Sequence, residues 1–463
     1  MTVPTGSTTD DLGPGGVVIC VDFGSTFTKA ALVDLDEGRI VAAAAHPTTI
    51  GTDVLDGYDA CVTALTEQDR RAATADVLAC SSAGGGLRIA VLGNEELVTA
   101  EAGRRVALSS GGKVVAVLAR DDDIDRIAEA EPDVVLLTGG TDGGNAEPIL
   151  SSARSLVRSG WRGPIVVAGN IEAQDEVAEI LAGLPHVRAA NVVPRIGVLA
   201  PESARAAIRE MFLAHVIGGK HLSERADFAA MVRGATPDVV LTGVELLARG
   251  LDSERPGAGD VVVVDVGGAT TDVHSVIEVD PEEGALSREV VATTPVNRTV
   301  EGDLGMRWSA LSTVDEAGRT DLAAAASRRR DDPGYLPDSD QEVQIDEEIA
   351  RAAVGIALRR HAGRSRVVVS PEGRVVERTG KDLREVGVVV GSGGILRNGR
   401  PGVVHRVLAG STGDDVEGGW QLPRDPVVVV DTDYVLAAAG LLVPTHPEAA
   451  QRLVMSLSHS LSP

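Results

Sequence analysis

The chain has 463 residues and a formal net charge of −25 at neutral pH. This acidic balance argues against nonspecific nucleic-acid binding, and an aromatic content of 2% leaves few rings to stack on bases. No apolar run approaches the roughly 18 residues that a membrane helix needs, and the polar N-terminus lacks the features of a signal peptide. We therefore expect a cytoplasmic protein of two or more domains, without nucleic-acid or membrane partners.

The first half of the chain begins with residues 1–16, which are polar and rich in Gly and Pro and predict a flexible tail. Apolar runs joined by short turns then predict three consecutive strands at 17–23, 30–35 and 39–45. Single amphipathic helices alternate with strands after them, which is typical of βαβ units and a largely parallel sheet. We assign residues 17–212 to a first domain.

The second half restarts with the same three-strand opening, at 260–266, 271–279 and 289–296. We therefore assign residues 213–443 to a second domain of the same architecture, and the fold class to α/β. Residues 444–463 are left as a C-terminal tail that could hold an amphipathic helix.

One short pattern occurs in both halves, as VDFGSTFTKA at 21–30 and VDVGGATTDV at 264–273. Each copy follows an apolar strand and reads as an acid, a glycine turn and a second strand. Glycine beside an acid lets backbone N–H groups approach an anion, and the acid can reach a metal ion on phosphates. The alternative is a plain hairpin whose Asp caps its own turn. Two matching copies favour two domains that face each other across a nucleotide.

Two further glycine-rich turns follow buried strands. Gly391, Ser392, Gly393 and Gly394 follow VVV, and such a turn offers flat backbone and donors to a nucleoside. The run TGGTDGGN at 138–145 ends another strand, where the carboxyl ends of parallel strands favour ligand sites. Its Asp142 could act as a general base, orient water, or cap the next helix.

The order of Asp-Gly hairpin, Asp-Gly-Gly hairpin and GSGG turn resembles the ATPase superfamily of actin, the seventy-kilodalton heat-shock proteins and sugar kinases. That resemblance implies two ribonuclease-H-like domains with ATP and Mg²⁺ in an interdomain cleft. Longer strings resemble the accessory L-protein family (MutL) of adenosylcobalamin-dependent glutamate (methylaspartate) mutase, from about residue 17 to 443. They include CSSAGGGLRIAVLG, LLTGGTDGGN, DVGGATTDVHSV, RTVEGDLGMR, RHAG, GKDLREVGVVVGSGG and DYVLAAAGLL. The abbreviation is shared with a mismatch-repair protein of another ATPase fold, which the sequence does not resemble.

The resemblance implies roles for individual residues. Asp22 and Asp265 would be the metal-side acids, with Asp265 orienting the attacking water, and Asp142 is the third catalytic candidate. The residues around the outer phosphates would be Gly24, Ser25, Thr26 and Lys29 on one face and Gly267, Gly268, Thr270 and Thr271 on the other. The residues at the adenosine would be Gly391, Ser392, Gly393 and Gly394. In the string RTVEGDLGMR, Asp303 would approach the nucleotide or cap a helix, and His274 and His361 are interpreted as structural.

The resemblance favours an ATP-binding and ATP-hydrolysing accessory or reactivating factor, with the mutase subunits as its partners. A small-molecule kinase with Asp142 as base stays open. So does an activator ATPase of the 2-hydroxyacyl-CoA dehydratase type, but that family needs cysteines for an iron–sulfur cluster. Cys20, Cys61 and Cys80 do not supply a convincing set. A filament-forming ATPase is the fourth possibility.

Overall fold

The computed structural model describes residues 16–93, 96–119, 124, 126–278, 294–370, 373–413 and 419–459. The predicted N-terminal tail therefore lies outside the described residues, apart from Gly16. In chain order the strands are β1 (Val17–Phe23), β2 (Phe27–Asp34), β3 (Arg39–Pro47), β4 (Asp76–Ser81), β5 (Leu87–Leu92), β6 (Gly112–Leu118), β7 (Val134–Leu137), β8 (Ile165–Val167), β9 (His186–Arg188), β10 (Val232–Ala235), β11 (Val261–Val266), β12 (Thr271–Val276), β13 (Val296–Glu301), β14 (Arg364–Ser370), β15 (Gly373–Thr379), β16 (Val388–Ser392) and β17 (Val427–Val430).

The α-helices are α1 (Val54–Gln68), α2 (Glu101–Ser109), α3 (Arg126–Ala130), α4 (Glu147–Arg158), α5 (Gln174–Ile180), α6 (Glu202–Met211), α7 (Ile217–Gly219), α8 (Ala226–Met231), α9 (Thr236–Arg249), α10 (Ala310–Glu316), α11 (Ala323–Asp331), α12 (Asp340–His361), α13 (Gly394–Asn398), α14 (Val403–Leu408), α15 (Val435–Leu442) and α16 (Pro447–His459). Short 3-10 or π turns cover Arg70–Thr74, Ala83–Gly85, Glu96–Ala100, Ile171–Ala173, Phe212–Val216 and Thr320–Leu322.

Two five-stranded sheets share one topology. The first has the order β10-β4-β1-β2-β3 and the second the order β13-β12-β11-β16-β17. In each sheet three consecutive strands pair antiparallel, and two later strands extend the sheet in parallel from the first. This is the ribonuclease-H-like order, so the predicted fold class with two such domains is confirmed.

One strand of the second opening lies elsewhere than predicted. The third strand was expected at 289–296, but β13 begins at Val296 and runs to Glu301. Proline 295 precedes it and cannot donate a backbone hydrogen bond to a ladder, which gives the strand its start. Residues 279–293 lie outside the described residues.

A third sheet corrects the prediction of one continuous first domain. Strands β5 to β9 form a separate, fully parallel sheet of order β6-β5-β7-β8-β9, inserted between β4 and β10 of the first sheet. Strand β10 completes the first sheet although it lies beyond the predicted boundary at residue 212. The first half therefore extends to Ala235 and carries an inserted α/β unit.

The two halves meet through a shared apolar core. Side chains of β1 and β11 pack against helices α9, α15 and α16 in this core. Where α9 crosses α15, each helix presents a glycine to the backbone of the other. A Cβ on Gly243 would lie 2.1 Å from the carbonyl oxygen of Leu436, and one on Gly440 would lie 2.0 Å from that of Val239. The helix axes can approach this closely only because both positions lack a side chain.

The C-terminal segment is a packed helix and not a tail. Helix α16 buries Leu453, Val454 and Leu457 in the core between the halves. Its Arg452 donates a hydrogen bond of 2.9 Å to the carbonyl of Leu35 at the end of β2. The apolar face of this amphipathic helix therefore covers the first sheet. Among the described residues, no helix is long and apolar enough to cross a membrane.

The helix crossing predicts a stability difference between glycines. Gly440→Ala should lower the free energy of unfolding by about 2 kcal/mol or more, because the new methyl group would displace the carbonyl of Val239. Gly218→Ala, in helix α7 with open space around it, should change it by less than about 1 kcal/mol. Urea unfolding followed by circular dichroism measures both, and equal effects would contradict the tight crossing.

Candidate functional site

The two predicted hairpins form with the same internal bond. The N–H of Gly24 donates to the carbonyl of Phe27 over 3.1 Å, and that of Gly267 donates to Thr270 over 2.9 Å. A Cβ on Gly24 would lie 2.6 Å from the Phe27 oxygen, and one on Gly267 would lie 2.9 Å from the Thr270 oxygen. Both glycines are thus required by the turn itself, before any phosphate contact is considered.

The two acids are held by different partners. Asp22 is buried, its Oδ2 lies 3.2 Å from Nζ of Lys29, and its Oδ1 accepts from Oγ1 of Thr236 over 2.7 Å. Asp265 pairs with Ser392 of β16 in the second sheet, and the Ser392 hydroxyl donates to its carboxylate. Ser392, expected at the adenosine, therefore supports the acid of the second hairpin.

The charges of both hairpins converge on one lysine. Burial, together with the charges of Asp272 and Asp22, raises the pKa of Asp265 to about 6, against the opposing effects of Lys29 and Ser392. Burial lowers the pKa of Lys29, but the charges of Asp22 and Asp265 outweigh it and hold the pKa above its usual value. The charges of Asp22 and Asp265 thus both act on the ammonium group of Lys29, which stays charged.

A tyrosine that sequence reasoning missed completes this cluster. The ring centroid of Tyr434 lies 4.3 Å from Nζ of Lys29 and 3.9 Å from the guanidinium carbon of Arg397. Its backbone is left-handed, with φ +59°, just before α15. A cavity of about 130 Å³ adjoins it and is lined by Asp22, Lys29 and Arg397 as well. The signal available in the sequence was the string DYVLAAAGLL, which resembles the family but carries no phosphate-binding pattern.

The GSGG turn lies directly on the second hairpin strand. Gly393 has φ +102°, and a Cβ there would lie 2.2 Å from the carbonyl oxygen of Val266. Gly394 is exposed, and its missing side chain faces open space. Gly391 is buried against Leu396. Of the three glycines, Gly394 is therefore the one placed to contact a ligand.

The other residues predicted to surround the phosphates also differ in exposure. Ser25 and Thr26 are exposed at the tip of the first hairpin, and a Cβ on Gly268 would make only ordinary contact with Arg307. Thr271, in contrast, is fully buried, and its hydroxyl donates to the carbonyl of Leu304 over 3.1 Å. Thr271 thus supports its hairpin instead of lining the phosphate face, which corrects that expectation.

Asp142 belongs to the inserted unit. Its Oδ1 accepts from the backbone N–H of Ile171 over 3.1 Å and from Nδ2 of Asn191 over 2.8 Å. The carboxylate therefore ties together the loops that follow β7, β8 and β9. Asn145, and not Asp142, accepts the first free N–H of helix α4, from Glu147. Within the described residues no hydrogen bond joins Asp142 to either hairpin acid, and its catalytic role stays a prediction.

Asp303 and His361 have structural partners. Arg360 donates to Oε2 of Glu301 and to Oδ1 of Asp303, each over 2.8 Å, so Asp303 is an ion-pair partner. His361 is buried between the hydroxyls of Thr299 and Ser275, at 2.9 and 2.8 Å. Burial holds its pKa well below the usual value, so the ring is neutral. His274 is likewise buried with a lowered pKa.

The carboxylates of the two hairpins suit a Mg²⁺ ion bound to a nucleotide better than an ion held by protein side chains alone. Mg²⁺ on a nucleotide needs only one or two protein carboxylates, with phosphate and water oxygens completing the shell, and Asp22 with Asp265 supply that number. Among the described residues, no three His, Cys, Asp or Glu side chains cluster as an all-protein metal site. Cys20, Cys61 and Cys80 are all buried, whereas a cluster shared across a dimer interface needs thiols at the surface.

Comparison with known proteins gives one strong match. A family model described as MutL protein matches residues 18–457. Protein MutL of Clostridium tetanomorphum is 36% identical over 455 residues, which cover 94% of this chain and 98% of the relative.

Solved structures give weaker matches. The activator of the 2-hydroxyisocaproyl-CoA dehydratase from Clostridium difficile with bound ADPNP is 11% identical, with a TM-score of 0.33 over 96% of this chain and 98% of that one. Gluconate kinase from Lactobacillus acidophilus is 12% identical, with a TM-score of 0.34 over 96% and 92%. Both scores are below 0.5, so the description of the fold rests on the strand order.

The raised pKa of Asp265 predicts a pH-dependent stability. A carboxyl whose pKa is higher in the folded state stabilises the fold while protonated, and this contribution is lost as the pH rises through about 6. The Asp265→Asn variant cannot ionise and should gain about 2 kcal/mol over the parent chain between about pH 4.5 and pH 7.5. Urea unfolding of both proteins at the two pH values measures the gain, and a difference that stays constant would disprove it.

Proposed function

This chain belongs to the MutL protein family, and on that premise we propose that it binds and hydrolyses ATP as an accessory factor of an adenosylcobalamin-dependent, glutamate-type mutase. The observation that carries the ATPase part is that one acid from the phosphate-type hairpin of each half acts on the same lysine, Lys29. The mutase part rests on the resemblance of the longer motifs to the accessory L-protein. The cytoplasmic location stays a prediction.

The nucleotide would lie between the exposed parts of the three motifs. Ser25 and Thr26 offer hydroxyl and backbone donors at the first hairpin, and Gly268 and Gly394 leave backbone open at the second hairpin and the GSGG turn. Mg²⁺, held by the phosphates and by Asp22 or Asp265, would supply charge neutralisation to the transferring phosphoryl group. The ammonium group of Lys29 adds a fixed positive charge at the same place.

Asp265 suits the orientation of an attacking water. A carboxyl with a pKa near 6 is mostly ionised at neutral pH yet is more basic than an ordinary aspartate. The hydroxyl of Ser392 fixes one side of this carboxylate, and the cross-strand neighbour Asp272 keeps its basicity high. Phosphate release would then remove the link between the halves and let them separate about the crossing of α9 and α15.

The hydrogen bonds of Asp142 favour a positioning role over that of a kinase base. Asp142 is engaged by Ile171 and Asn191 in the inserted unit and makes no hydrogen bond with either hairpin acid within the described residues. We therefore assign hydrolysis to Asp265 and a loop-positioning role to Asp142.

Nucleotide affinity tests the cleft without disturbing the turns. Gly268→Val should weaken ATP binding about tenfold or more, because a branched side chain would stand where a phosphate approaches the backbone. Gly387→Val places the same side chain in open space at the opposite end of β16 and should leave the affinity unchanged. Calorimetric titration with Mg-ATP measures both, and an unaltered affinity in Gly268→Val would refute this geometry.

The mutase role is tested by cofactor exchange. Glutamate-type mutase loaded with hydroxocobalamin is incubated with the chain, ATP and free adenosylcobalamin, and the corrinoid that stays on the mutase is identified by its absorbance after gel filtration. We expect exchange coupled to phosphate release, with both lost in Asp265→Asn and both kept in Asp142→Asn. Phosphate release without cofactor exchange would support the proposed ATPase activity and contradict the proposed role as a mutase accessory factor. A phosphorylated metabolite in place of free phosphate would reinstate the kinase.

A further inference from the structure

A second cavity, of about 190 Å³, lies where helix α2 of the inserted unit meets strand β13 of the second half. Its charged lining consists of Glu101, Arg104, Arg105, Arg298, Arg360 and Lys381. Five of these six side chains are basic, although the chain as a whole carries a net charge of −25. Basic side chains gathered in a concave site attract anions, and here Arg298 and Arg360 also pair with the neighbouring Asp272, Glu301 and Asp303.

The cations at the wall are held in place by neighbouring groups. Glu101 accepts from Nε of Arg104 over 2.6 Å and from Nε of Arg105 over 2.9 Å. Nζ of Lys381 donates to the carbonyl of His361 at the end of α12 over 2.9 Å. These contacts come from three separate parts of the chain, so the basic side chains are positioned before any ligand arrives.

Arg298 supplies the observation that points to a ligand. The residue is 6% exposed, its Nη1 donates to the carbonyl of Leu108 over 3.2 Å, and its Nη2 donates to Oδ2 of Asp272 over 3.0 Å. Its buried Nε–H has no acceptor among the described residues. Leaving such a buried, charged donor unpaired is unfavourable, so an incoming acceptor oxygen would be stabilised.

We propose that this cavity binds a small oxyanion with two or more negative charges, such as inorganic phosphate or a short dicarboxylate, between the inserted unit and the second half. Its volume is below the roughly 300–1,000 Å³ of sites for larger organic ligands, which suits a small anion. Arg104 and Arg105 grip the ligand from α2 and Arg298 grips it from β13. The ligand therefore joins two parts of the chain that belong to different halves.

Occupancy of the cavity is linked to the candidate nucleotide site. Asp272, the ion-pair partner of Arg298, lies directly across the β11–β12 strand pair from Asp265. An anion that draws on the charge of Arg298 changes the field that Asp272 exerts on Asp265. Since linkage is reciprocal, nucleotide binding then changes the affinity for the anion by the same factor.

Calorimetric titration with sodium phosphate or succinate at constant ionic strength tests the site on the full chain. We expect saturable binding that weakens about tenfold in Arg298→Gln and about threefold in Arg104→Gln. Arg188→Gln removes an exposed arginine that pairs with Asp175 at the surface, and it should leave the affinity unchanged. The Gly268→Val chain should keep this binding, which separates the cavity from phosphate bound at the hairpins.

The result can go against the proposal in two ways. Saturable binding of neither anion, or equal affinity in the parent chain and Arg298→Gln, would overturn it. Binding of one anion alone supports it and identifies the class of ligand. If Arg298→Gln does not fold, hydrogen exchange measured on the parent chain and on Arg104→Gln tests the proposal instead. Phosphate should slow exchange in both 101–109 and 296–301 of the parent, and protection of neither segment would overturn the bridging role.

Discussion

The close crossing of helices α9 and α15 is the constraint on which the candidate site depends. Gly243 and Gly440 let each helix touch the backbone of the other, so the relative position of the two helices is fixed within a small tolerance. The first residue of α9, Thr236, binds Asp22, and Tyr434, which precedes α15, lies between Lys29 and Arg397. One packing contact therefore fixes the position of Asp22 in the first hairpin. It also fixes the ring of Tyr434, which connects that hairpin to the GSGG turn.

The hairpins look alike in sequence but differ in charge, and this difference gives them different chemistry. The residue paired with Asp22 across its hairpin is Lys29, whereas the residue paired with Asp265 is another acid, Asp272. Lys29 forms an ion pair with the first carboxylate, while burial and the charge of Asp272 raise the pKa of the second. The carboxylate with the raised pKa is in the second half, which is why the orientation of water is assigned to Asp265.

Local patterns predicted the local structure well. The three-strand openings and the glycine turns follow from apolar runs and turn residues within about ten positions, and these formed, except that β13 begins after proline 295. Pairings over long separations could not be predicted in this way. The sequence does not show that β10 joins β4, that the strands from β5 to β9 leave the first sheet, or that Thr236 binds Asp22. Each depends on packing between segments far apart in the chain, for which one sequence carries no periodic signal.

The inserted unit gives the two halves a second point of contact, away from the helix crossing. Arg298 of β13 donates to the carbonyl of Leu108 at the end of α2, so the insert is bonded to the second sheet and not only to the first. A structure held at a helix crossing and at this contact resists separation about the crossing alone. Opening of the proposed nucleotide site would then require the contact between α2 and β13 to yield as well, and Arg298, bonded also to Asp272, is placed to connect the two events.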